Sequence, residues 1–186
     1  MTDSDISIDA LCKIPLLENL NPTECRQIAE IAHMEECRPG DAIMRHGETS
    51  QDLWILLEGK CEVSKPRPEL PQAAGQELVL AVLEPYSIFG EMSFFHRAPH
   101  SANVRAKTPV KLLRITRTAY DDLIRDGAWG AYKLALNAVA SMAQRLRHMD
   151  DWVAQLTTQQ ALIQPDVTRE SEWNEFRDKM FASWNL

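Results

Sequence analysis

The sequence lacks most features that announce a function at once. No basic stripe runs through it: 20 Lys and Arg stand against 27 Asp and Glu, a formal charge of −7. The short Arg145-Leu146-Arg147 on an expected helix is the one basic cluster of note. Polyanion binding draws on clustered Lys and Arg, so no nucleic-acid partner is expected. No apolar run approaches the ~18 residues of a membrane-spanning helix. The start, M-T-D-S-D-I-S-I-D-A, is acidic and lacks the cationic start and apolar core of a secretory signal. The expectation is therefore a cytoplasmic chain with no membrane partner.

Metal and catalytic signatures are missing too. Cys12, Cys25, Cys37 and Cys61 form no C-x-x-C pair, and metal or redox use favours tighter spacing. They read as small buried hydrophobes. His96 and His100 are four apart, but Pro99 lies between them and no third ligand is evident. No nucleophile elbow, P-loop or H-E-x-x-H occurs. The reading is no metal site, no cofactor and no enzyme.

What is present is regular structure with clear punctuation. Asn21-Pro22-Thr23-Glu24 is a helix start: an Asn cap, Pro in the first turn and Glu three residues after the cap. Leu20 precedes it as a hydrophobic staple, and Cys25, Ile28, Ala29 and Ala32 then recur at helical spacing. From Met34 the texture changes to short β-forming segments separated by Gly40, Gly47, Gly59 and Gly90. Those at 42–44, 53–57, 60–63, 78–83, 102–106 and 110–115 predict strands of a β-sandwich or roll. Residues 65–75, rich in Pro and Ala, read as an exposed hairpin loop.

The second half is helical. A short helix is predicted over 118–124, ending near Gly127, and a long one from about Trp129 to Leu162. Along the long helix Tyr132, Ala135, Val139, Met142, Leu146, Met149, Val153 and Leu156 step by three and four throughout. That is the period of a coiled-coil seam. Such a seam packs on the chain's own roll or on a second copy, and a parallel homodimer is the expectation. Gln160 continues the seam as a polar residue of the kind that weakens or registers a zipper. Beyond Pro165, Trp173, Phe176, Met180 and Trp184 make an aromatic stripe on a terminal amphipathic helix. That stripe either folds back or docks a protein partner.

The remaining stretch is Ile88 to Ala106, I-F-G-E-M-S-F-F-H-R-A-P-H-S-A-N-V-R-A. A Gly-Glu turn opens it and a small-residue run closes it before a strand, a frame in which an anion pocket can form. Together with Pro39-Gly40-Asp41, Gly47-Glu48, Leu53-Trp54-Ile55-Leu56-Leu57-Glu58-Gly59, Phe89-Gly90-Glu91-Met92 and Met142-Ala143-Gln144-Arg145-Leu146, it carries a resemblance. Over roughly 10–156 the chain resembles the cyclic nucleotide-binding domain family, most nearly its dimeric bacterial sensors related to the catabolite activator.

The resemblance implies an α+β fold: a β-roll with a short N-terminal helix and a long C-terminal dimerisation helix that closes over the pocket. It implies a cassette for a cyclic nucleotide, cGMP or cAMP. Gly90 makes the turn, Glu91 accepts from a ribose hydroxyl, and Met92 and Ser93 lend helix N–H groups. Ser101, Ala102 and Asn103 close the far side. His100 stands where the family's nucleotide binders carry arginine. Imidazole forms no planar fork. A charge-assisted contact contributes ~1.5–3 kcal/mol, so its loss costs about one to two decades of affinity. A nearby phosphate raises a histidine's pKa, so His100 predicts pH-dependent binding. Neighbouring Arg97 reads as solvated. In the long helix Met149-Asp150 stands where the catabolite activator has Thr-Ser. Asp150 either meets the edge of guanine or is a solvated flank charge.

The domains read as 10–127 for the roll, 128–163 for the dimerisation helix and 164–186 for the terminal helix. Thirty residues follow Leu156, fewer than the winged helix-turn-helix of the family's transcription factors, so no DNA-reading output is expected. The expected function is a non-enzymatic, ligand-gated regulatory module. The alternatives are a degenerate roll serving as a dimerisation scaffold, and a sensor for a different small molecule.

Overall fold

A computed structural model of the chain describes residues 11–67 and 77–163, with side chains of the last helix described through residue 155. The predicted aromatic stripe at Trp173–Trp184 and most of the predicted hairpin loop lie outside the described residues, as does the side chain of the seam position Leu156. Chain packing groups residues through Ser141 into one compact unit and those from Met142 into a second.

Among the described residues the first unit holds a 3-10 turn, Pro15–Leu17, and then helix α1, Pro22–Ile31. The predicted cap is present in full. Asn21 Oδ1 accepts from the Glu24 backbone N–H at 3.0 Å, and Glu24 Oε2 accepts from the Asn21 N–H at 2.8 Å. Two donors that helix geometry leaves without intrahelical partners are thus satisfied.

Eight strands follow among the described residues: β1 Ala32–Cys37, β2 Ala42–Met44, β3 Asp52–Glu58, β4 Cys61–Pro66, β5 Glu77–Leu83, β6 Ile88–Phe89, β7 Asn103–Ala106 and β8 Val110–Thr116. They build two antiparallel four-stranded sheets, ordered β1-β8-β3-β6 and β2-β7-β4-β5. Helix α2, Glu91–Phe95, interrupts the strands; α3, Arg117–Arg125, and α4, Trp129–Ile163, end the described chain. The roll with flanking helices is the predicted α+β architecture. β1 and β6 are additions. Ala32 opens β1 rather than continuing the helix, because the strand pairs with β8 from Ala32↔Ile115 to Cys37↔Val110.

The core has two parts, and β8 shows why. Val110 and Leu112 face the interior of the roll with Leu56, Cys61, Phe89 and Val104. Leu113 and Ile115 face the helices with Leu53, Ile55, Phe94, Tyr120 and Leu134. Alternate side chains of a strand leave opposite faces, so a sheet covered on both sides takes a near-continuous apolar run. Each such side chain contributes about 1.5–3 kcal/mol on full burial. β5 is as apolar but sits at a sheet edge beside β4 alone, and Leu78, Val79, Leu80 and Val82 remain exposed.

The N-terminal segment corrects the reading of the cysteines. Cys61 and Cys25 are buried, as small hydrophobes should be. Cys12 and Cys25, however, are paired in a disulfide contact with Cα atoms 6.2 Å apart. The 3-10 turn folds the chain back on α1, so distance along the sequence did not keep them apart.

Candidate functional site

The cassette is built where β6 ends against β3. Gly90 takes φ +79°, and a Cβ there would sit 2.4 Å from the Asp52 carbonyl oxygen. Both conformation and close approach therefore require glycine. The turn delivers Glu91 into a buried position and starts α2. Met92 points out, 60% exposed, while Ser93 and Phe94 point in.

His100 is only 4% exposed and joins three pieces of chain. Its backbone N–H donates to the Glu48 carbonyl at 2.8 Å, and its carbonyl accepts from the Gly47 N–H at 2.9 Å. Nδ1 lies 2.9 Å from Ser93 Oγ, and Nε2 lies 2.8 Å from Ser50 Oγ. The tautomer follows from counting protons. The Ser93 hydroxyl donates its single proton to the Gly90 carbonyl at 3.1 Å, so it accepts from Nδ1–H. In the neutral ring Nε2 is then the acceptor for the Ser50 hydroxyl. Burial pushes the imidazole below its ordinary pKa, and the Glu48 and Asp52 carboxylates oppose that only in part. Desolvation thus favours the neutral form.

The other expected residues divide. Gly90, Glu91, Met92, Ser93, His100, Ser101 and Ala102 come together around the cassette; Ser101 is exposed with its hydroxyl 4.0 Å from Met92 Sδ, and Ala102 is buried. Asn103 is otherwise engaged: its Oδ1 accepts from the His46 N–H at 2.7 Å and its Nδ2 donates to Glu77 at 2.9 Å. Asp150 belongs to the second unit and is exposed on α4. Arg97 is exposed, as expected.

Sequence reasoning missed Ser50, Gln51, Arg117 and Tyr120. Gln51 Nε2 donates to the Ser93 carbonyl at 3.1 Å. Arg117 donates to the Phe94 carbonyl at 2.6 Å, with its guanidinium over the Phe94 and Tyr120 rings. Phe94 and Phe95 meet Tyr120 edge to face at 5.1 and 6.0 Å, and the Tyr120 hydroxyl donates to the Ala131 carbonyl at 3.0 Å. The cassette helix is thus linked through α3 to the first turn of α4. No local spacing signals these contacts.

On α4, Ala131, Leu134 and Ala138 face the core at zero exposure. The seam is a separate stripe: Tyr132, Val139, Leu146, Met149 and Val153 are exposed, and Ala135 and Met142 are half-buried.

Comparison with known proteins agrees with this fold. Residues 34–126, half of the chain, match the family described as cyclic nucleotide-binding domain. The cAMP-dependent protein kinase regulatory subunit of Yarrowia lipolytica is 26% identical over 114 residues, 61% of this chain and 28% of that protein. The cGMP-dependent protein kinase 2 of Mus musculus is 25% identical over 124 residues, 67% of this chain and 15% of that protein. The chain therefore spans less than a third of either relative. Among solved structures, the catabolite activator protein of Thermus thermophilus superposes with a TM-score of 0.65 at 30% identity, covering 77% of this chain and 63% of that one.

Proposed function

The chain belongs to the cyclic nucleotide-binding domain family, and on that premise we propose a homodimeric, ligand-gated regulatory module. It takes cGMP or cAMP in the Gly90–Asn103 cassette and signals to a protein partner without catalysis and without reading DNA. The relatives named for cAMP- and cGMP-dependent kinases support the ligand class. The observation that carries the reading is the Phe94–Tyr120–Ala131 linkage from the cassette helix to α4. A ligand that shifts α2 biases α4 through it, because a ligand moves an equilibrium by its differential affinity for the two states. The exposed seam of α4 is the dimer face in this reading. The aromatic stripe at Trp173–Trp184 receives the partner.

The test is thermal shift and calorimetry with cGMP and cAMP, on the native chain and on His100→Arg, across a pH series. A phosphate at His100 competes with Ser50 for Nε2 and favours imidazolium. Since burial lowers the pKa, binding should tighten as pH falls below the ordinary histidine range. The arginine variant should bind about one to two decades tighter at neutral pH. No response to either nucleotide at millimolar concentration, in either protein at any pH, rejects the reading.

The enclosure of His100 by Ser50 and Ser93 favours a second reading, a sensor for a less charged small molecule. It predicts that cyclic nucleotides leave the native melting temperature unchanged while His100→Arg creates a response.

A further inference from the structure

The Cys12–Cys25 pair carries an inference independent of any ligand. Cys25 is wholly buried on α1, while Cys12 is half-buried and open to a small reagent. Their Cα separation of 6.2 Å lies within the span a disulfide requires. The loop they close contains every acceptor that Lys133 and Asn137 of α4 use. Asn137 Nδ2 donates to the carbonyls of Leu16 at 2.9 Å and Glu18 at 2.8 Å. Lys133 Nζ donates to the Asn19 carbonyl at 3.0 Å and to the Glu24 carboxylate at 2.7 Å. Gly130 also lies against Glu24, where an added Cβ would meet the Glu24 backbone oxygen at 3.1 Å.

We propose that Cys12 and Cys25 form an oxidative modification site, a reversible thiol–disulfide latch that stiffens the cradle under the first turns of α4. The oxidant class is a hydroperoxide. The Cys12 thiolate attacks one peroxide oxygen, the O–O bond breaks, and Cys12 becomes a sulfenic acid as hydroxide leaves. The Cys25 sulfur then forms the S–S bond and displaces that hydroxyl. Two thiols lose two electrons and two protons, and hydrogen peroxide is reduced to two waters. A dithiol reverses the reaction by attacking the reachable Cys12 sulfur, with Cys25 leaving as thiolate. Closing the loop removes conformations from its open state, so the acceptors for Lys133 and Asn137 are held in place.

The experiment uses the full chain, treated with hydrogen peroxide or with dithiothreitol. Non-reduced peptide mapping reads the cross-link, and amide hydrogen exchange reads residues 131–138. The expected result is a Cys12–Cys25 peptide after peroxide, with exchange at 131–138 slowed about tenfold or more. Dithiothreitol should reverse both. Cys12→Ser should abolish the slowing; if that variant does not fold, the two treatments of the native chain decide alone. Cys37 and Cys61, on β1 and β4, serve as internal controls and should stay uncross-linked to Cys12. A missing cross-link, a cross-link that dithiothreitol cannot open in the folded protein, or a cross-link that leaves exchange unchanged overturns the proposal.

Discussion

Two stripes of α4 run side by side, one residue out of step, and they meet opposite surroundings. The inner stripe, Ala131, Leu134 and Ala138, is wholly buried. The outer one carries larger side chains, yet Tyr132, Val139, Leu146 and Met149 remain 44–61% exposed. Size and hydropathy alone would assign them the other way round. The inner stripe is buried because small residues let the helix approach closely, with Gly130 against Glu24 and Tyr120 bonded to Ala131. The outer stripe keeps the regular three-four period of a coiled-coil seam. Close packing thus uses one face of the element, and the exposed three-four period lies on another.

The comparison breaks most readily at Leu134. Leu134→Ala should cost about 2–5 kcal/mol by leaving a cavity, read as a fall in the urea midpoint. Leu146→Ala should leave the dilute protein within about 0.5 kcal/mol of native while lowering the dimer fraction in sedimentation. Equal destabilisation by the two would erase the distinction between the faces. Tyr120→Phe is the next largest change. It removes the bond to Ala131 at about 1 kcal/mol and should blunt any ligand-induced change in α4, seen by fluorescence of Trp129. A full ligand response in that variant removes the linkage from the mechanism.

Lys133→Met should have the smallest effect, because its partly exposed ion pair contributes about 0.2–1 kcal/mol. Its signature lies in the pH dependence. The Lys133 hydrogen bond, then the Asn21 backbone, hold the Glu24 carboxyl below its ordinary pKa. That stability is fully present above the unfolded carboxyl's pKa and is lost as pH falls through the lower folded one. Removing Lys133 should flatten the acid limb of the melting curve, and an unaltered limb would mean that the Asn21 cap alone sets it.

Much of the fold was legible in local pattern. The Asn21-Pro22-Thr23-Glu24 cap formed as read, and the long helix runs Trp129–Ile163. Strands at 42–44, 53–57 and 110–115 fall within β2, β3 and β8. β6, two residues long, gave no periodicity to detect. In the cassette, Gly90 and Glu91 were visible because a turn and a carboxylate are local features. The Ser50 partner of His100 was not, since it lies 50 residues away and is brought in by a different loop.

The sequence by itself determined the order of elements, the helix cap, the glycine turn of the cassette and the three-four period on α4. Each depends on residues within a few positions of one another, where backbone geometry leaves little choice. Only the tertiary structure decided which of two apolar strands, β5 or β8, is covered on both faces, and which stripe of α4 meets the core. It also decided that His100 faces two serines and that Cys12 meets Cys25. Burial and hydrogen-bond partnership depend on what the rest of the chain places nearby, and that is set by packing rather than by spacing.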